Sequence, residues 1–344
     1  MKQKIKIKNK IISDNNYPFF IAEAGINYDG KFQKCFELID SAKESGADAI
    51  KFQTHIANEE MIDTKIMLAH SKKETVYDLM KKCELDIEKH LELKKYCDKK
   101  KIIFLSTPFS YAAAKLLKSI NVNFFKIGSG ECNNLPLIEK VAKFNKPMII
   151  STGMNDLKSV SETYKFAKKL NKEIILMHCV SIYPTPAKKS MLDTIVYYKN
   201  KFGCPVGFSD HSSDISLAIG SVALGANVIE KHFTVSDKWS GPDIPISLTP
   251  KKFKLMVDSC KEVFDAKGIR KNVLKEEIPV TKFAFASVVT LKDINKGEKF
   301  TEKNLWVKRP GTGKISAKKI FKIFGKRSRK NLKKDKFLNY SDFK

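Results

Sequence analysis

Eight short runs of strand character alternate with segments of helical spacing, and that alternation leaves the chain few choices of fold. The runs are "FFIAEAG" (19–25), "DAIKFQT" (48–54), "IIFLSTP" (102–108), "NFFKIGS" (123–129), "PMIIST" (147–152), "IILMHCV" (174–180), "PVGFSDH" (205–211) and "NVIEKHF" (227–233). Between them lie helix-type stretches such as "KCFELIDSAKESGA", "YAAAKLLKSIN" and "DISLAIGSVALGA". Strands separated by helical crossovers pair in parallel. Eight such units within about 250 residues match a closed (β/α)8 TIM barrel better than an open doubly wound sheet.

A barrel of this kind concentrates its working residues at the carboxyl ends of its strands. Those ends carry Glu23; Lys51 and Gln53; Thr107; Lys126, Ser129 and Glu131; Ser151; His178; Ser209 and His211; and Glu230 and His232. Side chains alternate with period two, so Lys51 shares a face with Gln53, Ser209 with His211, and Glu230 with His232. Burying so many ionisable groups is costly unless they are paired or meet a ligand, which points to a reaction site. His211 and His232 end neighbouring strands and form the candidate metal pair, suited to a divalent ion in a mixed nitrogen and oxygen site. Lys51 and Lys126, with the hydroxyls of Ser129, Ser151 and Ser209, suit a small phosphorylated carboxylate. His178 reads as structural, and His55, His70 and His90 fall in loop or helix-like segments with no assigned role.

Composition narrows the function classes. The net charge of +26 invites a nucleic-acid reading, but of 64 Lys and Arg residues only Arg270, Arg309, Arg327 and Arg329 are arginine. The excess is lysine on solvated helical faces, without the arginine forks or stacking platforms of base recognition, so no nucleic-acid partner is expected. No apolar stretch approaches a membrane span, and the charged amino terminus lacks a signal-peptide core, so neither membrane association nor export is expected, and the expected location is cytoplasmic. Seven scattered cysteines fit reduced thiols rather than a disulfide frame or zinc site.

The motifs "IAEAGINYDG", "IKFQTH", "STPFS", "KIGSGECNNLPLI", "STGMN", "HCVSIYPTP", "GFSDHS", "EKHFT", "GPD", "FAFASVV" and "WVKRPG" follow one another along almost the whole chain. Together they resemble the bacterial sialic acid synthases, which use phosphoenolpyruvate to make N-acetylneuraminate and related nine-carbon acids. The resemblance implies a TIM barrel over 1–270, a linker over 271–282 and a small β-rich antifreeze-like (SAF) domain over 283–344. It also implies a cytoplasmic homodimer, swapped so that Arg309 acts on the neighbouring barrel, that serves surface-polysaccharide biosynthesis.

The implied reaction joins phosphoenolpyruvate, an N-acetylated amino sugar and water with release of phosphate, using a divalent metal, Mn2+ before Mg2+ or Co2+. By the same resemblance Glu23 and Glu131 are catalytic, and His211 and His232 hold the metal. Lys51, Thr107, Lys126, Ser129, Ser151 and Ser209 bind phosphoenolpyruvate, while Gln53, Tyr183, Asp243, Phe283 and Arg309 contact the sugar. Two positions depart from the family pattern. Tyr28 stands where the first loop often has histidine, and Ser181 where neuraminate synthases commonly have asparagine. The "YPTP" and "GPDI" runs favour N-acetylmannosamine as acceptor; the alternative is a 2,4-diacetamido-2,4,6-trideoxyhexose, giving legionaminate or pseudaminate.

Overall fold

The computed structural model describes residues 3–68, 71–269 and 272–344. His70 and the boundary expected at 270/271 lie outside them. The described chain divides into two compact units, Met1–Lys267 and Gly268–Lys344.

The first unit is the barrel. Its strands are β1 (Phe19–Gly25), β2 (Ala49–Thr54), β3 (Ile103–Pro108), β4 (Phe125–Ile127), β5 (Met148–Ser151), β6 (Ile174–Cys179), β7 (Val206–Asp210) and β8 (Val228–His232). All ladders are parallel, in the order β3-β2-β1-β8-β7-β6-β5-β4, and β3 lies beside β4 to complete the ring. Each strand falls within or at the ends of one of the eight runs picked from the sequence.

Period-two alternation divides every strand between two apolar layers. Phe19, Ile21, Ala49, Ile103, Leu105, Phe124, Ile149, Ile175, Met177 and Val228 point inward and fill the lower barrel. An amino-terminal hairpin, Ile5–Ile7 paired with Lys10–Ile12, adds Ile5, Ile7 and Ile12 to that cluster and plugs its base. The opposite phase, including Ala22, Ile50, Phe104, Ile150, Leu176, Phe208 and Ile229, packs against the helices. Inside the barrel Gly207 admits no side chain, because a Cβ there would lie 2.8 Å from Val228 Cβ and 2.9 Å from Val228 O. That close approach lets β7 run flush against β8.

Helix ends carry their own signals. Asp86, Ser110, Asn134 and Asp156 each cap a helix by accepting a backbone N–H at its third position, which satisfies one otherwise orphaned donor. Among the described residues no helix is long and apolar enough to cross a membrane. All seven cysteines are buried and unbridged.

The second unit has an antiparallel pair, Ser287–Thr290 with Leu305–Lys308, and a series of isolated bridges. Val288, Ile294, Phe300, Leu305, Ile315, Ile320, Ile323, Leu332 and Leu338 make its own small core. Residues Ile278–Ala284, which run from the expected linker two residues past its boundary at 282/283, form a short helix.

Candidate active site

The inward phase that is apolar at the base turns polar at the top. Following Ile21, Ala49, Leu105, Phe124, Ile149 and Val228 upward by two residues gives Glu23, Lys51, Thr107, Lys126, Ser151 and Glu230. The ladder register sets Lys51 and His232 beside Glu23, and Ser209 beside Glu230. These groups line a cavity of about 360 Å³ together with Gln53, Ser129, Ser181, Tyr183, His211 and Asp243.

Two lysines share one carboxylate at its floor. Lys51 Nζ lies 2.9 Å from Glu23 Oε2 and 3.5 Å from Glu230 Oε1, and donates to Thr107 Oγ1 at 3.2 Å. Lys126 Nζ donates to Ser151 Oγ at 2.6 Å but stands 3.6 Å from Glu230 Oε1. The lysines therefore differ in charge compensation. Burial acts against the Lys51 ammonium, yet Glu23 and Glu230 together hold its pKa above the usual lysine range. At Lys126 burial prevails over the more distant Glu230 and lowers it.

The two carboxylates part in the same way. Burial raises the Glu23 carboxyl despite Lys51. Burial also opposes ionisation of Glu230, but Lys126, Lys51 and the hydrogen bond from Ser209 Oγ, at 3.0 Å, hold it well below the ordinary carboxylate range. Glu230 thus ties both lysines to Ser209. The sequence placed it on the inward face without giving it a role.

His211 and His232 sit with ring centroids 5.5 Å apart. Burial lowers both to about 4, so each imidazole is neutral at pH 7. The Nδ1 of His211 stands 2.8 Å from the carbonyl of Val180, an acceptor, which puts the proton there and leaves Nε2 unprotonated, 3.3 Å from Ser209 Oγ. In His232 the buried Nδ1 has no hydrogen-bond partner, and Asp243 Oδ2 lies 3.7 Å away. Tyr183 stacks on His211 at 4.4 Å and meets His232 edge-on at 5.9 Å. Two neutral rings and an unpartnered buried nitrogen suit a divalent cation. Among the described residues no group of three or more His, Cys, Asp or Glu is arranged for one, so two protein nitrogens would leave positions open for oxygen ligands.

Other expected residues lie elsewhere. Glu131 is not among the cavity-lining residues and accepts a hydrogen bond from Asn134 Nδ2 at 2.5 Å. Phe283 and Arg309 belong to the second unit, where the guanidinium lies 5.9 Å over the phenyl ring. Tyr28 is fully buried and donates to the carbonyl of Cys83, a packing role. His178 is buried on the outward phase of β6, stacked on Phe208, with Nε2 2.7 Å from Ser190 O.

Sequence reasoning missed Asp210 and Lys231. They sit on the outward phase next to the two histidines, paired at 2.9 Å and buried. Their signal was a charge in a strand covered on both faces, where apolar residues are the rule.

The NeuB family model matches residues 38–272 and the SAF domain model residues 285–344. The chain is 40% identical to the N,N'-diacetyllegionaminic acid synthase of Campylobacter jejuni, over 92% of this chain and 98% of that one. It is 36% identical to the N,N'-diacetyllegionaminic acid synthase of Legionella pneumophila, over 91% of each. The crystal structure of N-acetylneuraminic acid synthetase from Leptospira borgpetersenii, with citrate, superposes with a TM-score of 0.75 at 34% identity, covering 81% of this chain and 95% of that one. A polar barrel mouth of this composition, followed by a SAF domain, makes the chain a member of the NeuB family, the phosphoenolpyruvate-using synthases of sialic acid type.

Proposed function

We propose that the acceptor is the open-chain aldehyde of a 2,4-diacetamido-2,4,6-trideoxyhexose, so that the product is a legionaminate-type acid. The observation that carries this reading is the apolar part of the cavity lining, Ile26, Met80, Phe109, Met154 and Pro242. A trideoxy diacetamido sugar replaces a hydroxymethyl group by a methyl and adds an acetyl methyl, both of which gain from apolar neighbours. Ser181, shorter than the asparagine common in neuraminate synthases, also lines the cavity and leaves room for the second acetamido group. The 40% and 36% identities to two diacetyllegionaminic acid synthases support the same choice. N-acetylmannosamine, the acceptor favoured by the "YPTP" and "GPDI" runs, is the second reading.

In the reaction C3 of phosphoenolpyruvate bonds to the aldehyde carbon, water adds at C2, and the C2–O bond breaks to release phosphate. Lys51, Lys126, Thr107, Ser129 and Ser151 would bind the phosphate and carboxylate. Lys126 gains most from an incoming anion, since its nearest carboxylate stands at 3.6 Å. Ser209 would act with Glu230 to hold that charge balance. Glu23, whose raised carboxyl keeps a proton available near neutrality, would exchange protons with the water or the sugar oxygen. Glu131, already engaged by Asn134, takes no step here. Gln53, Tyr183 and Asp243 would position the sugar. His211 and His232 would hold Mn2+, or Mg2+ or Co2+, which when bound supplies Lewis acidity toward the aldehyde oxygen.

The test is initial-rate kinetics with phosphoenolpyruvate, Mn2+ and a panel of acetamido aldoses, with product masses recorded. The expected result is a kcat/KM for the diacetamido sugar at least tenfold above that for N-acetylmannosamine. An equal or reversed ratio sinks this reading and leaves the second.

A further inference from the structure

Asp243 enters the cavity from the segment that follows β8. It stands at the N-cap position of the 3-10 helix Ile244–Ile246, yet its side chain makes no capping hydrogen bond. An N-cap aspartate ordinarily folds back on the backbone N–H groups of its own helix. Here the carboxylate turns to the end of β1 instead. A Cβ on Gly25 would lie 3.3 Å from Asp243 Oδ2, 3.4 Å from Gln53 Nε2 and 3.4 Å from Glu23 Oε1, so three cavity side chains converge where Gly25 leaves room. The protein grips the backbone of this aspartate: Ser247 Oγ donates to Asp243 O at 2.7 Å, and Ile246 N to the same carbonyl at 3.2 Å.

Ser247 is held in turn by Asn27, which follows β1 and is fully buried. Asn27 Nδ2 donates to Ser247 Oγ at 2.9 Å and to Phe233 O at 2.9 Å. Obligate acceptors fix every direction. The Phe233 carbonyl can only accept, so the amide nitrogen must face it; the Asp243 carbonyl can only accept, so the Ser247 hydroxyl gives its proton there and accepts from Asn27. No ionisation state enters. Phe233 N donates to Glu23 O at 2.7 Å and Leu248 N to His232 O at 2.8 Å, so the amide ties together the exits of β1 and β8 and the turn that carries Asp243. Asn27 Oδ1 is buried with no hydrogen-bond partner. An amide kept with one acceptor unmet costs stability, so its two donor contacts must answer another need.

We propose that Asn27 and Ser247 form a positioning relay that sets where the Asp243 carboxylate stands for the acceptor sugar. Neither residue lines the cavity, so both act through Asp243. Ser247 takes over the anchoring that an N-cap aspartate would otherwise supply to its own turn, and the carboxylate is left facing the substrate. This inference rests on the reading of Asp243 as a sugar contact, and not on which sugar enters.

The experiment is a double-mutant cycle on the full chain with Mn2+, using whichever of the two acceptors the wild type turns over faster and recording product mass over hours so that slow variants are still read. Ser247→Ala should raise the sugar KM roughly fivefold, the size of one hydrogen bond, and leave the phosphoenolpyruvate KM unchanged. In an Asp243→Ala background the same change should add nothing, because the relay then has no carboxylate to place. Asn27→Ala should show the same pattern with a larger rise; if that chain does not fold, the Ser247 cycle decides alone. An unchanged sugar KM in Ser247→Ala overturns the proposal. So does a rise that persists without Asp243, or one shared equally by phosphoenolpyruvate, since either means a loop that is merely loosened. The acceptor assignment is read from the ratio of two sugars in the wild type, so its failure and that of the relay are separate results.

Discussion

Lys231 Nζ lies 2.9 Å from Asp210 Oδ2, and neither side chain reaches solvent. The ammonium also donates to Ser212 O at 2.5 Å, and Asp210 Oδ1 accepts from Ser212 N at 2.8 Å. The pair thus clamps the turn that follows β7 to β8, with His211 inside the clamped segment and His232 next to Lys231. Removing one member strands the other charge in an apolar layer, which costs about 3–5 kcal/mol. Lys231→Met should lower stability by about that amount in urea unfolding, and Lys231→Met combined with Asp210→Leu by clearly less. Equal losses in the single and double variants would show that the pair is not a coupled unit.

Lys126 is the cation with the least compensation in the cavity, while Lys51 already has Glu23 at 2.9 Å. An anionic substrate should therefore depend more on Lys126. Lys126→Met is expected to raise the phosphoenolpyruvate KM tenfold or more, since a charge-assisted hydrogen bond contributes about 1.5–3 kcal/mol. Ser151→Ala, which removes the hydroxyl that holds Nζ, should give a smaller rise of the same kind. Steady-state kinetics with the sugar saturating checks both, and an unaltered KM in Lys126→Met rules out its contact with phosphoenolpyruvate.

Much of this architecture was readable from the chain because one rule generates it. Period two in a barrel strand puts Ile21 and Glu23, or Val228, Glu230 and His232, on one inward face, so the apolar base and polar mouth appear in sequence as a change of residue type along one phase. That rule does not extend beyond the strand. Glu131 comes four residues after β4 ends at Ile127; there the backbone turns, and its carboxylate meets Asn134 instead of the cavity. His55 likewise follows the last residue of β2, and its ring meets Glu60 only because the one-turn helix Ala57–Glu60 sets that residue there. Lys231 and Asp210 obey the alternation but face outward, where only the packed helices reveal that both are buried. The chain of hydrogen bonds from Asn27 through Ser247 to Asp243 is a tertiary fact with no spacing to announce it.

Removing a ring from the histidine pair should release a metal before it disturbs the fold. His232 offers a buried Nδ1 without a hydrogen-bond partner, so its replacement leaves no unsatisfied donor behind. His232→Ala is expected to retain less than a tenth of the wild-type Mn2+ after gel filtration, measured by elemental analysis, with an unchanged circular dichroism spectrum. Wild-type retention by this variant would exclude His232 as a ligand.

The same two histidines set an acid limit on stability. Burial depresses His211 and His232 from an ordinary value of 6.5 to about 4, so between those values the unfolded chain binds protons that the folded barrel refuses. Stability is therefore complete above pH 6.5 and falls as pH drops toward 4, by about 2 kcal/mol per histidine at pH 5. Glu23 acts with the opposite sign, since its raised carboxyl takes up a proton in the folded state first and gains stability as pH falls. The histidine contribution is isolated by comparing variants after chelation, with urea midpoints at pH 8 and pH 5. His232→Asn should lose about 2 kcal/mol less than wild type across that interval, and Glu23→Gln should lose more than wild type because the opposing gain is gone. If His232→Asn and wild type fall equally, His232 does not enter the folded barrel as a depressed, neutral imidazole.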